Sequence, residues 1–274
     1  MSTVAWVLGG GGLLGATEAG MAQALLETGI VPDLVLGTSI GAINGAVLAS
    51  DPTPAGAVDL ATMWEQIAGA DVLAASAVDR MSHWVRNRTS LHSNDRLAAL
   101  LTAHLPATFS DLAVRFECVA ASIGGARETW FSEGPLVEAV LASAALPGVF
   151  PAVQIGDEHY FDGGLVNSVP IGRALRHGAD TIWVLHVGRV EERLHPPRFP
   201  WEVGFVAFEI ARRHRFHRDL SELPDGVTVH VLPTGLEARD AATWSALRYR
   251  NPRRIGDRAE RAHRATAEYL QRIK

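Results

Sequence analysis

Apolar and polar positions along the first 50 residues follow two repeats of a strand pattern and a helix pattern. The apolar run "TVAWVLG" predicts a buried strand, and "ATEAGMAQALLETG" continues with apolar residues at helical spacing. "DLVLG" then predicts a second buried strand, and "SIGAINGAVLAS" predicts a second helix. Consecutive β–α units place parallel strands side by side with helices on the faces of the sheet. The pattern therefore predicts an α/β fold with a parallel sheet.

The remaining chain continues this mixture of strands and helices. Further strand patterns occur in "VRFECVAASI", "ETWFS", "HYFDGG", "TIWVLHVG" and "VTVHVLP". Helical spacing occurs in "GAVDLATMWEQIAG", "NDRLAALLTAHL", "PLVEAVLASAAL", "IGRALRHG", "WEVGFVAFEIARRHRFHRDL" and "IGDRAERAHRATAEYLQRI". Because no internal repeat and no low-complexity linker separates these elements, we expect one domain over residues 1–274.

Composition narrows the class of protein. Hydrophobic residues make up 47% of the 274 residues and charged residues 20%, an ordinary globular composition. The single cysteine, Cys118, excludes an internal disulfide and a cysteine-rich zinc site, and its apolar neighbours predict burial in a strand. No apolar run approaches the ~20 residues of a membrane span, and no secretory signal pattern opens the chain. We therefore expect a cytoplasmic protein.

Charge is unevenly distributed along the chain. The formal net charge of −5 argues against a dedicated nucleic-acid binder. Residues 189–274 hold 16 Arg and one Lys against 12 acidic residues, a local charge of +5, so residues 1–188 carry −10. The basic part of the chain is either a solvated arginine-rich surface or a surface that meets phosphate or an anionic membrane.

The glycine-rich segment "GGGGLLG" raises the question of which anion it receives. Gly10, Gly12 and Gly15 fit G-x-G-x-x-G between a strand and a helix, the context of a dinucleotide site. Such a site needs an acidic residue at the carboxyl end of the second strand, whereas Asp33 precedes that strand. A Walker loop needs a lysine after its last glycine, and Lys274 is the only lysine in the chain. A nucleotide phosphate is therefore disfavoured, and we expect neither a cofactor nor a metal.

The segment "GTSIG" is a candidate nucleophile elbow. Gly37, Ser39 and Gly41 match G-x-S-x-G between a predicted strand and a predicted helix, a context in which the serine hydroxyl stands clear of the sheet. The alternative is a tight turn in which the serine caps an ordinary helix. If the serine is a nucleophile, the neighbouring parallel strand brings backbone N–H donors for an oxyanion beside it. We predict these donors at Gly10, Gly11 and Gly12.

The catalytic base is less evident from the pattern. None of the histidines lies in a convincing loop at a late strand end. His186 is in an apolar run, His195 is in a proline-rich segment, and two others, His214 and His217, are on a basic helix. Asp162 in "YFDGGLVNSVP" follows a strand and precedes two glycines, so it is the better candidate. A plain Asp-Gly-Gly turn is its alternative interpretation.

Four segments in a fixed order resemble the patatin-like phospholipase family. They are "GGGGLLG", "GTSIGAINGA", "ASAALPGVFP" and "DGGLVNSVP", and they span residues 8–170. The resemblance implies a three-layer α/β/α fold with a mainly parallel central sheet, and hydrolysis of lipid or fatty-acyl esters. It implies a Ser39–Asp162 dyad without a catalytic histidine. It also implies structural roles for Gly15, Gly37, Gly41, Ser143, Pro147, Gly163 and Gly164.

One position departs from the family pattern. The glycine loop of the family usually reads G-G-G-x-R/K-G, whereas Leu14 occupies the basic position in this sequence. We expect the backbone donors to remain and a cation beside the oxyanion loop to be lost. The predicted consequence is weaker catalysis or an altered headgroup preference. Beyond residue 190 no motif of the family is evident.

The sequence leaves open two alternative functions and two interpretations of the helical segment 201–218. The chain could carry a Ser–His–Asp triad of the α/β-hydrolase type, or it could be a non-catalytic lipid-binding relative. The helical segment 201–218 either lies at a lipid interface, as a peripheral membrane contact, or packs as a core helix with a basic end. Its apolar stripe and basic end comprise Trp201, Phe205, Phe208, Arg212, Arg213, Arg215 and Arg218.

Overall fold

A mixed β-sheet runs through the part of the chain that the computed structural model describes, residues 3–11, 14–69, 90, 92–187, 194–197, 199–235 and 252–273. Its strands in the described ranges are β1 (Val4–Leu8), β2 (Leu34–Thr38), β3 (Arg115–Ser122), β4 (Arg127–Phe131), β5 (Val153–Ile155), β6 (Glu158–Asp162), β7 (Thr181–Leu185) and β8 (Thr228–Val231). The order is β5-β6-β3-β2-β1-β7-β8, and β4 also pairs with β3.

Helices in the described ranges connect these strands. They are α1 (Ala16–Glu27), α2 (Ile40–Ser50), α3 (Pro54–Gly69), α4 (Asp95–His104), α5 (Leu136–Ser143), α6 (Ile171–Arg176), α7 (Pro200–Ser221) and α8 (Pro252–Ile273). Short 3₁₀ turns occupy Phe109–Asp111 and Gly163–Leu165. None of the helices in these ranges is both long and apolar enough to cross a lipid bilayer.

The centre of the sheet is parallel, as the β–α repeats predict. β1 pairs in parallel with β2 and β7, β2 pairs in parallel with β3, and β7 pairs in parallel with β8. β4 and β6 run antiparallel to β3, and β5 runs antiparallel to β6. The prediction of a mainly parallel sheet is confirmed, and the antiparallel strands gather at one side of it.

Helices cover both faces of the sheet. Trp6 and Leu8 of β1 belong to one hydrophobic core with residues of α1, α2 and α8, whereas Ala5 and Val7 belong to a second core with residues of α6 and α7. This alternation follows from the two-residue period of a strand. The three-layer α/β/α prediction is therefore confirmed. Cys118 is buried in β3 as predicted, and burial raises the pKa of its thiol.

β3 brings two distant parts of the chain end to end. Residues 115–119 of β3 pair with β2, residues 120–122 pair with β6, and β4 pairs with residues 118–122. Because a strand has only two edges, β4 occupies one edge, and β2 and β6 share the other. β2 ends opposite Val119 and the antiparallel β6 ends opposite Ala120. The carboxyl ends of these two strands consequently meet.

The C-terminal helix α8 packs closely on α1, the helix that follows the glycine loop. Gly20 of α1 makes the close approach possible, because a Cβ at this position would lie 2.0 Å from the carbonyl oxygen of Ala259 in α8. Contacts of this kind need glycine, since real Cβ atoms do not approach a carbonyl oxygen so closely. The chain after residue 190, which carries no family motif, thus supports the N-terminal half of the fold.

We predict that Gly20→Ala lowers the free energy of unfolding by about 1–3 kcal/mol, because the added methyl group overpacks the α1–α8 contact. Thermal or denaturant unfolding monitored by circular dichroism measures the change. The matched control is Gly204→Ala in α7, where an added Cβ would meet no atom within 4 Å and the higher helix propensity of alanine favours the fold. Equal stability of the two variants would contradict the packing argument.

Candidate active site

Ser39 occupies a strained turn between β2 and α2. Its backbone angles are φ +57° and ψ −120°, which non-glycine residues rarely adopt. The two glycines of the pentapeptide allow the turn to close. A Cβ on Gly37 would lie 2.5 Å from the carbonyl oxygen of Gly41, and a Cβ on Gly41 would lie 2.3 Å from that of Leu8. The Ser39 side chain makes no capping hydrogen bond, so the helix-cap alternative is wrong.

The Ser39 hydroxyl points at the carboxylate of Asp162. Ser39 Oγ donates to Asp162 Oδ2 at 2.6 Å, across the junction where β2 and β6 meet. The other carboxylate oxygen, Oδ1, accepts the backbone N–H of Gly164 at 2.7 Å. One oxygen is thus held by the backbone, and the other is directed at the serine. The Asp-Gly-Gly segment is a turn, and it is also the turn that orients this carboxylate.

Burial makes Asp162 a stronger base than an ordinary aspartate. The residue is 2% exposed, and the pKa of its carboxyl group is raised from 3.8 to about 6, with desolvation as the largest cause. Hydrogen bonds from Ser39 and Gly164 and the positive charge of Arg212 act in the opposite direction. The net effect brings this carboxylate close to the pH range in which a general base works well.

The "ASAALP" segment holds both residues of the pair. Ser143 Oγ accepts the backbone N–H of Ser39 at 3.0 Å, and the carbonyl oxygen of Ala145 accepts the backbone N–H of Asp162 at 2.9 Å. Pro147 is exposed in the turn that follows. A Cβ on Gly163 would lie 2.1 Å from the carbonyl oxygen of Val119, so glycine lets the Asp162 turn pass close to β3.

The glycine loop lies against Ser39. A Cβ on Gly10 would be 3.4 Å from the Cβ of Ser39, and the Gly10 N–H donates to the carbonyl oxygen of Ser168 at 2.9 Å. The Gly11 N–H donates to no residue within the described ranges, and Gly12 lies outside those ranges. A Cβ on Gly15 would lie 2.3 Å from the ring of Trp64. Of the two described glycines predicted as oxyanion donors, only Gly11 therefore has a free N–H.

A cation does reach the loop, although Leu14 occupies the usual basic position. Arg212 of α7 donates from Nη1 to the carbonyl oxygen of Gly10 at 2.9 Å and from Nη2 to Glu209 Oε2 at 2.9 Å. The expectation that this site lacks a cation is therefore wrong. The sequence analysis placed Arg212 on a basic helix and did not connect it with the glycine loop, because the two are 202 residues apart and no motif links them. The available signal was the spacing of Glu209, Arg212 and Phe216, which lie on one buried face of α7.

The described histidines do not contact the pair. His186 follows β7 and packs near Gly9 and Phe216, and His195, His214 and His217 are exposed. Within the described ranges no histidine hydrogen-bonds Ser39 or Asp162. In the same ranges no group of three His, Cys, Asp or Glu side chains is arranged to hold a metal ion.

The helix α7 is packed over its second half. Glu209, Arg212, Phe216 and Asp219 are buried, and the neighbouring arginines pair with carboxylates. Arg213 contacts Glu209, Arg215 contacts Glu128 and the carbonyl oxygen of Val166, and Arg218 contacts Asp219. The side chains of Trp201 and Phe205 are not among those that the structure describes. The packed-helix interpretation is correct for this half, and its arginines neutralise protein carboxylates.

Comparison with known proteins agrees with this architecture. A family model described as patatin-like phospholipase matches residues 6–175. The chain belongs to the patatin-like phospholipase family. Among its relatives is lysophospholipase nte1 of Aspergillus terreus, with 30% identity over 191 residues, 69% of this chain and 12% of that protein. Another is the patatin-like phospholipase domain-containing protein ZK370.4 of Caenorhabditis elegans, with 31% identity over 193 residues, 70% of this chain and 14% of that protein.

This patatin-like chain also shares its fold with a solved structure. VipD from Legionella pneumophila superimposes with a TM-score of 0.53 at 14% identity, over 98% of this chain and 67% of that one. Such low identity supports the fold alone. The curated relatives are much longer than this patatin-like chain, which covers only 12–14% of their length. The activities in the names of these longer proteins are properties of those proteins.

Burial of the Asp162 carboxylate should lower the free energy of unfolding of this patatin-like chain. Between about pH 4 and pH 6 the folded carboxyl keeps a proton that the unfolded one releases, so stability falls as pH rises through this window. Asp162→Asn removes the buried charge, and its amide can occupy both hydrogen-bonding positions. We predict that the variant is more stable than the wild type by about 2–3 kcal/mol at pH 8, and that the difference disappears below about pH 4.

Thermal unfolding of both proteins between pH 4 and pH 8 measures this difference. The matched control is Asp157→Asn, the same change at an exposed position in the β5–β6 turn. We expect no comparable pH-dependent gain from the control. A wild type that is as stable as Asp162→Asn at pH 8 would mean that the carboxylate is not buried at a cost.

Proposed function

We propose that the chain is a lipid acyl hydrolase in which Ser39 is the nucleophile and Asp162 is the general base. The observation that carries the proposal is the 2.6 Å hydrogen bond from the strained Ser39 hydroxyl to a buried carboxylate. A serine at its ordinary pKa is a weak nucleophile and needs an adjacent base. Asp162 meets that need through its position and through its raised pKa.

In the acylation step, Ser39 Oγ bonds to the acyl carbon of the ester, and its proton moves to Asp162 Oδ2. The carbonyl oxygen becomes an oxyanion. We assign the Gly11 N–H as a donor to it, because the Gly10 N–H is already bound to Ser168. The N-terminus of α2 adds a favourable dipole. The bond to the leaving oxygen then breaks, and that oxygen takes the proton from Asp162.

In the deacylation step, Asp162 accepts a proton from water while the water oxygen attacks the acyl-serine. The Ser39–acyl bond breaks, the proton returns to Ser39 Oγ, and the fatty acid leaves. The same carboxylate therefore acts as base and then as acid in each half-reaction. This assignment requires no histidine, so it competes directly with the triad alternative.

The substrate we propose is a lysophospholipid or a similar acyl ester of a lipid. Support comes from the relatives that are named lysophospholipases and share about 30% identity with this chain. Reaction at a lipid aggregate requires a surface that contacts it. Leu165, in the 3₁₀ turn that follows Asp162, is exposed, and so are Val203 and Ile210 of α7.

We propose that these three apolar residues touch the lipid surface. Phe208 of α7 lies against the Asp162 turn, since a Cβ on Gly164 would be 3.1 Å from Phe208 Cζ. Val203 and Ile210 are seven residues apart and so share one face of α7, with exposures of 53% and 55%. Because the arginines of the helix pair with protein carboxylates, the contact we propose is apolar rather than electrostatic.

We predict that Ser39→Ala and Asp162→Asn each lower the hydrolysis of 1-acyl-glycerophosphocholine by at least about 10³-fold, since each change removes a reacting group. Fatty acid release measures the activity, and a fluorophosphonate probe with mass spectrometry locates the nucleophile. The matched control is His186→Ala, which we expect to retain activity. The triad alternative predicts that one of the single His→Ala variants silences the enzyme and that Asp162→Asn does not. Folded wild-type protein that neither hydrolyses the ester nor reacts with the probe would indicate a non-catalytic relative.

We predict that the double variant Val203→Asp/Ile210→Asp lowers partitioning onto phosphatidylcholine vesicles by about tenfold or more, because two apolar contacts with lipid are lost. Vesicle co-sedimentation measures the bound fraction. The control is Val58→Asp in α3, a valine that is 45% exposed on the other layer of helices. Equal binding of wild type, control and double variant would contradict the proposed surface.

A further inference from the structure

The guanidinium of Arg212 joins the helix α7 to the glycine loop at the centre of the site. We propose that Arg212 is a positioning residue for the hydrolysis: it fixes the peptide between Gly10 and Gly11 and places a positive charge beside the Ser39–Asp162 pair. This inference rests on the proposed function. It adds a residue from the part of the chain that carries no family motif.

The guanidinium of Arg212 is held in one orientation. The Arg212 side chain is 5% exposed, and it makes two hydrogen bonds of 2.9 Å in different directions, one to the Gly10 carbonyl oxygen and one to Glu209 Oε2. A guanidinium is planar and rigid, so two such bonds fix its orientation. Glu209 lies one turn earlier on α7, and the arginine is therefore anchored to its own helix before it reaches the loop.

The peptide between Gly10 and Gly11 links this contact to a backbone N–H. In a planar trans peptide the C=O of one residue and the N–H of the next point in opposite directions. The carbonyl of Gly10 and the N–H of Gly11 belong to the same peptide unit, so Arg212 fixes the direction of that N–H when it binds the carbonyl. Glycine has little intrinsic backbone preference, and this loop needs an outside contact to hold one conformation.

The loop is held from both sides of Gly10. The Gly10 N–H donates to the Ser168 carbonyl oxygen, and the Gly10 carbonyl oxygen accepts from Arg212. The Gly11 N–H remains without a partner among the described residues. These contacts leave free the one described donor that the reaction needs, and they keep it in a single orientation before substrate binds.

The charge of Arg212 lies close to the glycine loop. Glu209 Oε2 is shared by Arg212 at 2.9 Å and Arg213 at 3.3 Å, so one carboxylate faces two guanidinium groups. The Nε of Arg212 has no partner within the described part of the chain. The guanidinium of Arg212 therefore places a positive charge beside the loop, where negative charge develops on the substrate oxygen. Leu14, buried in the loop itself, supplies no such charge.

The test uses the full chain and measures the hydrolysis of 1-acyl-glycerophosphocholine. We expect Arg212→Met to lower kcat by about 10- to 100-fold with a smaller change in KM, because a misplaced donor weakens the transition state more than substrate binding. Arg212→Lys keeps the charge but cannot hold both partners in a fork, so partial recovery is expected. The matched control is Arg218→Met, the same change on the exposed last turn of α7, which should retain wild-type kcat.

The pH profile separates positioning from general destabilisation. The charged group that acts on the Asp162 pKa is Arg212, and the other groups are the Ser39 hydroxyl and the Gly164 N–H. Without the cation the carboxyl holds its proton to higher pH, so the acid limb of kcat/KM should move to higher pH in Arg212→Met. Glu209→Gln removes a nearby negative charge while Arg212 remains, so its acid limb should move to lower pH.

Loss of Arg212 leaves Glu209 with one partner fewer in a buried place, and a poorly folded variant would be uninformative. The double variant Glu209→Met/Arg212→Met removes this buried ion pair and keeps the apolar volume, so we expect it to fold, although Arg213 loses its contact with Glu209. We expect the double variant to unfold at a temperature near that of the wild type and to retain the loss of kcat. Full activity of this folded double variant, or acid limbs that stay in place in both single variants, would overturn the inference.

Different results would contradict the proposed hydrolase function and the proposed role of Arg212. If Ser39→Ala remains active, or if the wild type does not hydrolyse the ester, the proposed function is wrong. If Ser39→Ala is inactive and Arg212→Met equals Arg218→Met in kcat and pH profile, the proposed function stands and only the role of Arg212 is wrong.

Discussion

The pairing of two strands with one edge of β3 is the constraint on which the rest of the site depends. β2 arrives from one end of that edge and β6 from the other, so their last residues are brought face to face. Ser39 directly follows β2 and Asp162 is the last residue of β6, so Ser39 Oγ lies 2.6 Å from Asp162 Oδ2. The tight glycines at Gly37, Gly41 and Gly163 serve this junction, because each permits a backbone approach that a Cβ would block.

The same junction encloses a carboxylate and a strained serine, and both lower the stability of the fold. A carboxylate enclosed by the sheet end and the neighbouring turns loses hydration, and its pKa rises from 3.8 to about 6. Ser39 is held in a rare backbone conformation, with its N–H bound by Ser143. Strain and buried charge of this kind persist only where the surrounding structure fixes them. The hydrophobic cores on both faces of the sheet supply that support.

Local signals in the sequence were enough for much of this architecture. The β–α repeats predict the parallel centre of the sheet, and the elbow around Ser39 and the turn after Asp162 are marked by glycines that the backbone requires. Long-range features were not accessible in this way. The antiparallel direction of β6 and its end-to-end position with β2 depend on pairing partners far along the chain. The contact of Arg212 with Gly10 depends on where α7 packs, and arginine on a helix is ordinarily a solvated residue.

The end-to-end meeting of β2 and β6 also has a consequence for how such a site can diversify. Ser39 and Asp162 are 123 residues apart in sequence, and β3 is the strand that links their positions. Much of the chain between them can therefore lengthen, shorten or change its side chains without disturbing this pair, provided that β3 and β6 keep their register and that Ser143 and Ala145 keep their contacts. The walls of the site and the Ser39–Asp162 pair can in this sense change independently. A site built on this junction can change its surroundings while the hydrogen-bonded pair stays in place.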